Sequence, residues 1–183
     1  VDGAGQDYFN LYEVDCFEVL VGQDYLNRLN APTPRTKTAV QHFRKVTRGL
    51  CRVAASNGIS QGGVIATLRI VAASDDDGAL KRHLLREAIP GLAERAGIVG
   101  VHLGFTDAAG SRIETAEKKV RGTATDVPPW VLMIEGIGSD AVKRAIGAVI
   151  PDAVLAKAGA VSPALTGIYQ LEAQRLKTAW AAG

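Results

Sequence analysis

Three times along this chain of 183 residues a strand-like run, an amphipathic helix and a second strand-like run follow one another, and that order constrains the fold more than any single motif. In residues 11–56, Leu11 to Val21 reads as a strand of aromatic and β-branched residues interrupted by Glu13, Asp15 and Glu18. Thr33-Pro34 then offers a cap followed by proline at the first helical position, Ala39, Val40 and Phe43 fall on one stripe, and Val46 to Ala55 returns to strand character. In residues 62–106, the strand Val64 to Ala73 precedes a helix capped by Asp75-Asp76-Asp77 with an apolar row Leu80, Leu84, Ala88, Leu92, and Ile98 to Thr106 is the returning strand. In residues 130–175, the strand Trp130 to Glu135, a helix capped by Ser139-Asp140 and the strand Leu165 to Glu172 complete the series.

The second and third units resemble copies of one another. Ala79-Leu80-Lys81-Arg82, Ile89-Pro90 and Ala96-Gly97 align with Ala141-Val142-Lys143-Arg144, Ile150-Pro151 and Ala158-Gly159 at offsets of 62, 61 and 62. A proline inside a helix costs about 3 kcal/mol, so equivalent prolines predict a shared kink or break. Asn57-Gly58 and Gly62-Gly63 predict a hairpin between Val46–Ala55 and Val64–Ala73. Hairpin-joined units cannot form a doubly wound parallel sheet. They predict a single α+β domain over residues 11–175, with a ferredoxin-like antiparallel sheet of about six strands and helices on one face. Residues 1–10 read as a flexible N-terminus and 176–183 as a C-terminal tail. The long connection 107–129, with a short helix over Glu114–Arg121, reads as a lid or as a subunit-contact arm.

Composition closes off several classes of function. The chain is 47% hydrophobic and 22% charged, which fits one globular domain, and 21 Lys+Arg against 19 Asp+Glu lack the basic excess of a nucleic-acid binder. No apolar run approaches the roughly 18 residues that cross a bilayer, and no export signal stands near Val1, so the chain is expected to be cytoplasmic, free of membrane and of nucleic acid. Cys16 and Cys51 form neither a disulfide framework nor a metal spacing, and they read as small apolar packers. No metal is expected: a cap with solvated charges accounts for Asp75–Asp77 better than a metal site. Gly136-Ile-Gly138-Ser-Asp-Ala141 has the local context of a dinucleotide fingerprint, but too little chain follows to complete such a sheet.

The face of the sheet away from the helices decides the chemistry. Alternation sends Val64, Ala66, Leu68 and Ile70 to the helices and leaves Ile65, Thr67, Arg69 and Val71 outward, while Val99, Val101, Leu103 and Phe105 leave Gly100, His102, Gly104 and Thr106 outward. The same parity places Arg48, Leu50 and Arg52 outward, with Glu13, Asp15, Phe17 and Val19 from the first strand. His102, between two glycines that leave room for its ring, is the candidate catalytic group, as a base, an acid or a haem ligand; a structural histidine is the alternative, and His42 and His83 read as solvated. Arg48, Arg52 and Arg69 would suit a carboxylate, phenolate or enolate, or else simply pair with Glu13 and Asp15; Thr67 and Trp130 complete the candidate ligand-binding set, with Trp130 lining a cavity or anchoring the loop.

A ferredoxin-like sheet whose open face mixes apolar and charged residues resembles the dimeric α+β barrel superfamily, with its EthD-like and small monooxygenase-like members. The resemblance covers residues 11–175 as topology and implies a homodimer enclosing a small organic ligand, without a tightly bound cofactor. If the protein is an enzyme, it is expected to be a cofactor-independent isomerase, oxygenase or lyase acting on an anionic or aromatic compound, and the parity of the strands, not the resemblance, assigns the moving of a proton to His102; a non-catalytic ligand-binding or assembly protein is the alternative, and a haem binder a third reading.

Overall fold

The computed structural model describes residues 6–44, 46–58, 60–121 and 127–175, so the expected C-terminal tail and part of the expected flexible N-terminus lie outside the described residues. Three short helices come first: α1 (Glu18–Val21), α2 (Gln23–Asn30) and α3 (Pro34–Val40). Strands β1 (Cys51–Gly58) and β2 (Val64–Ile70) precede α4 (Gly78–His83), a π-helical turn over Leu84–Ala88, α5 (Ile89–Ala93) and β3 (Ile98–Thr106). Helices α6 (Ala108–Ser111) and α7 (Ala116–Arg121) lie in the connection to β4 (Trp130–Gly136), which is followed by α8 (Ser139–Val149), α9 (Asp152–Ala158) and β5 (Leu165–Gln170). The architecture is α+β, with a five-stranded antiparallel sheet in the order β1-β3-β4-β2-β5.

Helices α4, α5, α8 and α9 cover one face of this sheet. Beneath them Leu68, Ile70, Leu103, Leu132 and Ile134 of the strands meet Leu80, Leu84, Leu92, Val142 and Leu155 of the helices, all with less than 2% exposure. Each such side chain contributes about 1.5–3 kcal/mol by leaving water. Both helical connections are interrupted at the duplicated prolines, by different means. Pro90 has no N–H to donate, and the turn before it widens to the π form, whereas α8 stops at Val149 and Pro151 leads directly into α9.

The first third of the chain departs from the expected strand–helix–strand unit. Leu11 to Val21 does not form a strand: Phe17, Leu20 and Val21 are spaced for a helical face, and Phe17, at the N-cap of α1, and Val21 both pack close to Gly110 of α6. Thr33 does cap α3, its Oγ1 accepting from the Thr36 N–H at 3.1 Å. The strand expected over Val46–Ala55 starts later, at Cys51. Nor does β1 form a hairpin with β2, because β4 and β5 occupy both edges of β2 and leave β3 as the partner of β1. Two complete units and one edge strand therefore replace the expected three units.

Among the described residues no helix is long and apolar enough to cross a membrane.

Candidate functional site

Antiparallel register arranges the face opposite the helices in three rows. Leu165, Arg69, Val131, Gly104 and Val53 form the first; Gly167, Thr67, Met133, His102 and Ser56 the second; Tyr169, Ile65, Glu135, Gly100 and Gly58 the third. Side chains opposite one another in such rows stand about 5 Å apart, which brings short polar groups within bonding distance.

On β1 the placement of Ser56 depends on a bulge. Arg52 pairs with Phe105 and Val53 with Gly104, but the register then slips, so that Ala55 rather than Ala54 faces Leu103 and Ser56 faces His102. Without the extra residue, alternation would turn Ser56 toward the helices; a β-bulge re-aims a side chain in this way. Ser56 Oγ lies 2.7 Å from His102 Nδ1. On the other side of the ring, His102 Nε2 is 3.5 Å from Glu135 Oε1, with only 23% and 10% of the two side chains exposed. The Gly62 N–H donates to Glu135 Oε2 at 2.8 Å, fixing the carboxylate.

Two glycines make room for this chain of contacts. A Cβ on Gly62 would sit 2.5 Å from the carbonyl oxygen of Gly136, so a larger residue could not bring its N–H to Glu135. A Cβ on Gly100 would sit 2.9 Å from His102 Nε2, so the imidazole occupies the space a side chain would take. A carboxylate at Nε2 favours the tautomer that carries its proton there, leaving Nδ1 free to accept from the serine hydroxyl. Hydroxyl, imidazole and carboxylate thus stand in series, the hydroxyl at hydrogen-bonding distance from the ring and the carboxylate at ion-pair distance on its other side.

Of the residues singled out in the sequence, His102, Thr67 and Arg69 share the open face. Thr67 is buried at 7% exposure. Arg69 lies one row away from His102 and two strands over, about 12 Å by strand spacing and rise per residue. It is held by its own chain: Nη1 donates to Thr47 Oγ1 at 2.9 Å and Nη2 to Gln6 Oε1 at 3.0 Å, while Gln6 Nε2 donates to Thr47 Oγ1 at 2.8 Å. Phe9 stacks on Tyr169 with ring centroids 5.5 Å apart. Residues 6–9, which composition places in a loose end, therefore contact the β2–β5 half of the open face.

The other candidates lie elsewhere. Arg52 belongs to the helix side of the sheet, where its guanidinium lies 3.9 Å from the Phe17 ring centroid and about the same distance from the carboxylates of Glu18 and Asp107. The expected outward parity fails here because the strand begins later and then bulges. Arg48 is half-buried in the segment leading to β1, and Glu13 and Asp15 are exposed ahead of α1; among the described residues none of these forms the expected pairing of Arg48, Arg52 or Arg69 with Glu13 or Asp15. Trp130 is a core residue at 9% exposure, its ring 5.0 Å from that of Phe105, which makes it an anchor rather than a cavity wall. His83 is not solvated as expected: it contacts Glu87 Oε2 at 3.1 Å through Nδ1, and its Nε2 is buried.

Sequence reasoning did not single out Ser56 or Glu135. For Glu135 a signal existed, since alternation through Trp130–Gly136 puts Val131, Met133 and Glu135 outward, and a carboxylate is the exceptional member of that set. Comparison of the chain with protein-family models, curated proteins and solved structures finds no match.

Proposed function

We propose that this is a ferredoxin-like protein of the dimeric α+β barrel type, which binds a small anionic or aromatic molecule over β1, β3 and β4 and moves a proton there through His102. The observation that carries this reading is the placement of the His102 ring between the Ser56 hydroxyl and the largely buried Glu135 carboxylate, which orients an imidazole as general acid–base catalysis requires. Strand order supports the fold assignment. Read from the other edge, β5-β2-β4-β3 is the order of a ferredoxin-like unit with its two helical connections on one side, and β1 adds a strand beyond β3. Exposed Val53 (66%) and Leu165 (54%) in the outermost columns of the open face support a second copy as its cover. The reaction would be isomerase, oxygenase or lyase chemistry on an enolisable compound. A non-catalytic binding or assembly role is the second reading, favoured by Tyr8 and Tyr12, which expose 76% and 78% of their surface on either side of Phe9.

The test uses protein labelled with ¹⁵N at histidine. Addition of 4-hydroxybenzoate is expected to shift the His102 ring resonances, and His102→Gln to abolish binding; no response at His102 would leave only the assembly role. Sedimentation equilibrium is expected to show a dimer that Val53→Glu combined with Leu165→Glu dissociates. A wild-type monomer at micromolar concentration would remove the enclosing second copy.

A further inference from the structure

We infer that Ser56 is an acyl-accepting nucleophile and that the open face hydrolyses small carboxylic esters with an apolar acyl group. The inference rests on the proposed proton-moving role of His102 and adds to it a covalent step. The first support is the order of contacts: a hydroxyl 2.7 Å from one ring nitrogen and a carboxylate 3.5 Å from the other, the carboxylate itself fixed by a backbone N–H. A serine is a weak nucleophile until an adjacent base takes its proton, and the base works best when a third group holds its tautomer. The second support is the bulge, which turns Ser56 out of the helix-facing parity and onto His102 while leaving it exposed on an edge strand, where a substrate can approach. The third is the neighbourhood. Met133 lies beside His102 in the same row, and Val131 and Val53 in the adjoining one, an apolar rest for an acyl chain.

Attack by Ser56 Oγ on the ester carbonyl carbon passes the hydroxyl proton to His102 Nδ1. Cleavage of the bond to the alkoxy oxygen returns that proton to the leaving alcohol and leaves an acyl ester on Oγ. Water then attacks the acyl carbon, its proton passing to Nδ1; the bond to Oγ breaks, Oγ recovers the proton, and a carboxylic acid is released. Glu135 remains ionised throughout, opposite the transient imidazolium at Nε2.

The full chain is treated with an alkyl fluorophosphonate and, separately, with 4-nitrophenyl butyrate, and labelled peptides are identified by mass. Expected are a single adduct at Ser56, no adduct in Ser56→Ala, and labelling and ester turnover slowed about a hundredfold or more in His102→Gln. Thermal melts confirm that each variant is folded, and Glu135→Gln is expected to slow labelling less than His102→Gln. Absence of a Ser56 adduct overturns the nucleophile, and so does labelling of Ser56 that His102→Gln leaves unchanged. If 4-hydroxybenzoate still shifts the His102 resonances in either case, the acid–base reading stands without the covalent step; if it does not, both fall.

Discussion

The two halves of the open face use polar residues in opposite ways. Over β2 and β5 the chain covers itself: Gln6 and Thr47 bond to Arg69, Phe9 stacks on Tyr169, and Thr67 is reduced to 7% exposure. Over β1, β3 and β4 the polar groups face one another, Ser56 bonded to His102 and Glu135 within ion-pair distance of the ring, and Ser56 at the end of the series stays exposed. The same face therefore carries a charged group that fastens the N-terminal segment and, two strands away, a histidine whose partners are a hydroxyl and a carboxylate. Chemical type alone does not separate an anchor from a reactive group; what separates them is whether their partners come from a covering segment or leave one side open.

This difference predicts unequal responses to substitution. Arg69→Met removes the donors to Thr47 and Gln6 and leaves their acceptors under the segment, a loss of about 1–3 kcal/mol in chemical denaturation. It should also speed chymotryptic cleavage after Phe9 and Tyr12 in the otherwise folded chain. A variant as stable and as protease-resistant as the wild type would abolish the distinction between the halves. Ser56→Ala, by contrast, deletes an exposed hydroxyl and is expected to change stability by no more than about 0.5 kcal/mol in the same measurement. A loss matching that of Arg69→Met would make Ser56 a structural residue and sharpen the comparison in the opposite direction.

Legibility in the sequence follows local regularity. The strand Ile98–Thr106 and its parity are readable because Val101 and Leu103 alternate without a bulge over the segment that faces β4, and the row Val64, Ala66, Leu68, Ile70 is readable for the same reason. Apart from α3 with its Thr33 cap, the first 58 residues resist reading because local composition is ambiguous there. Leu11–Val21 has strand-like residues at helical spacing, and Val46–Leu50 has strand composition but only leads into β1. The pairing of β1 with β3 is decided by competition for the edges of β2, which neighbouring sequence does not record. Of the candidate site, His102 and its open face were readable from alternation; Ser56 was missed because the expected strand stops at Ala55, one residue short of it, and because β1 was expected beside β2 rather than beside β3, which carries His102.

The segment leading to β1 also screens the outer face, and the two cysteines report on it. Gly49 passes so close that an added methyl would lie 3.0 Å from Thr106 Oγ1 and 3.5 Å from Cys51 Sγ. Burial there pushes the Cys51 thiol pKa up, against the weaker opposing effect of its contact with the Thr106 hydroxyl at 3.4 Å. The folded chain thus holds this proton to higher pH than the unfolded chain does. The associated stability is complete below the unfolded thiol pKa and is lost as pH rises through the folded value. Because the thiolate is the reacting species, iodoacetamide at mildly alkaline pH should modify exposed Cys16 well before Cys51, and urea should bring the two rates together. Equal rates in the native protein would show that residues 46–50 do not stay closed over β1, and the covered region of the outer face would then shrink to the neighbourhood of Arg69.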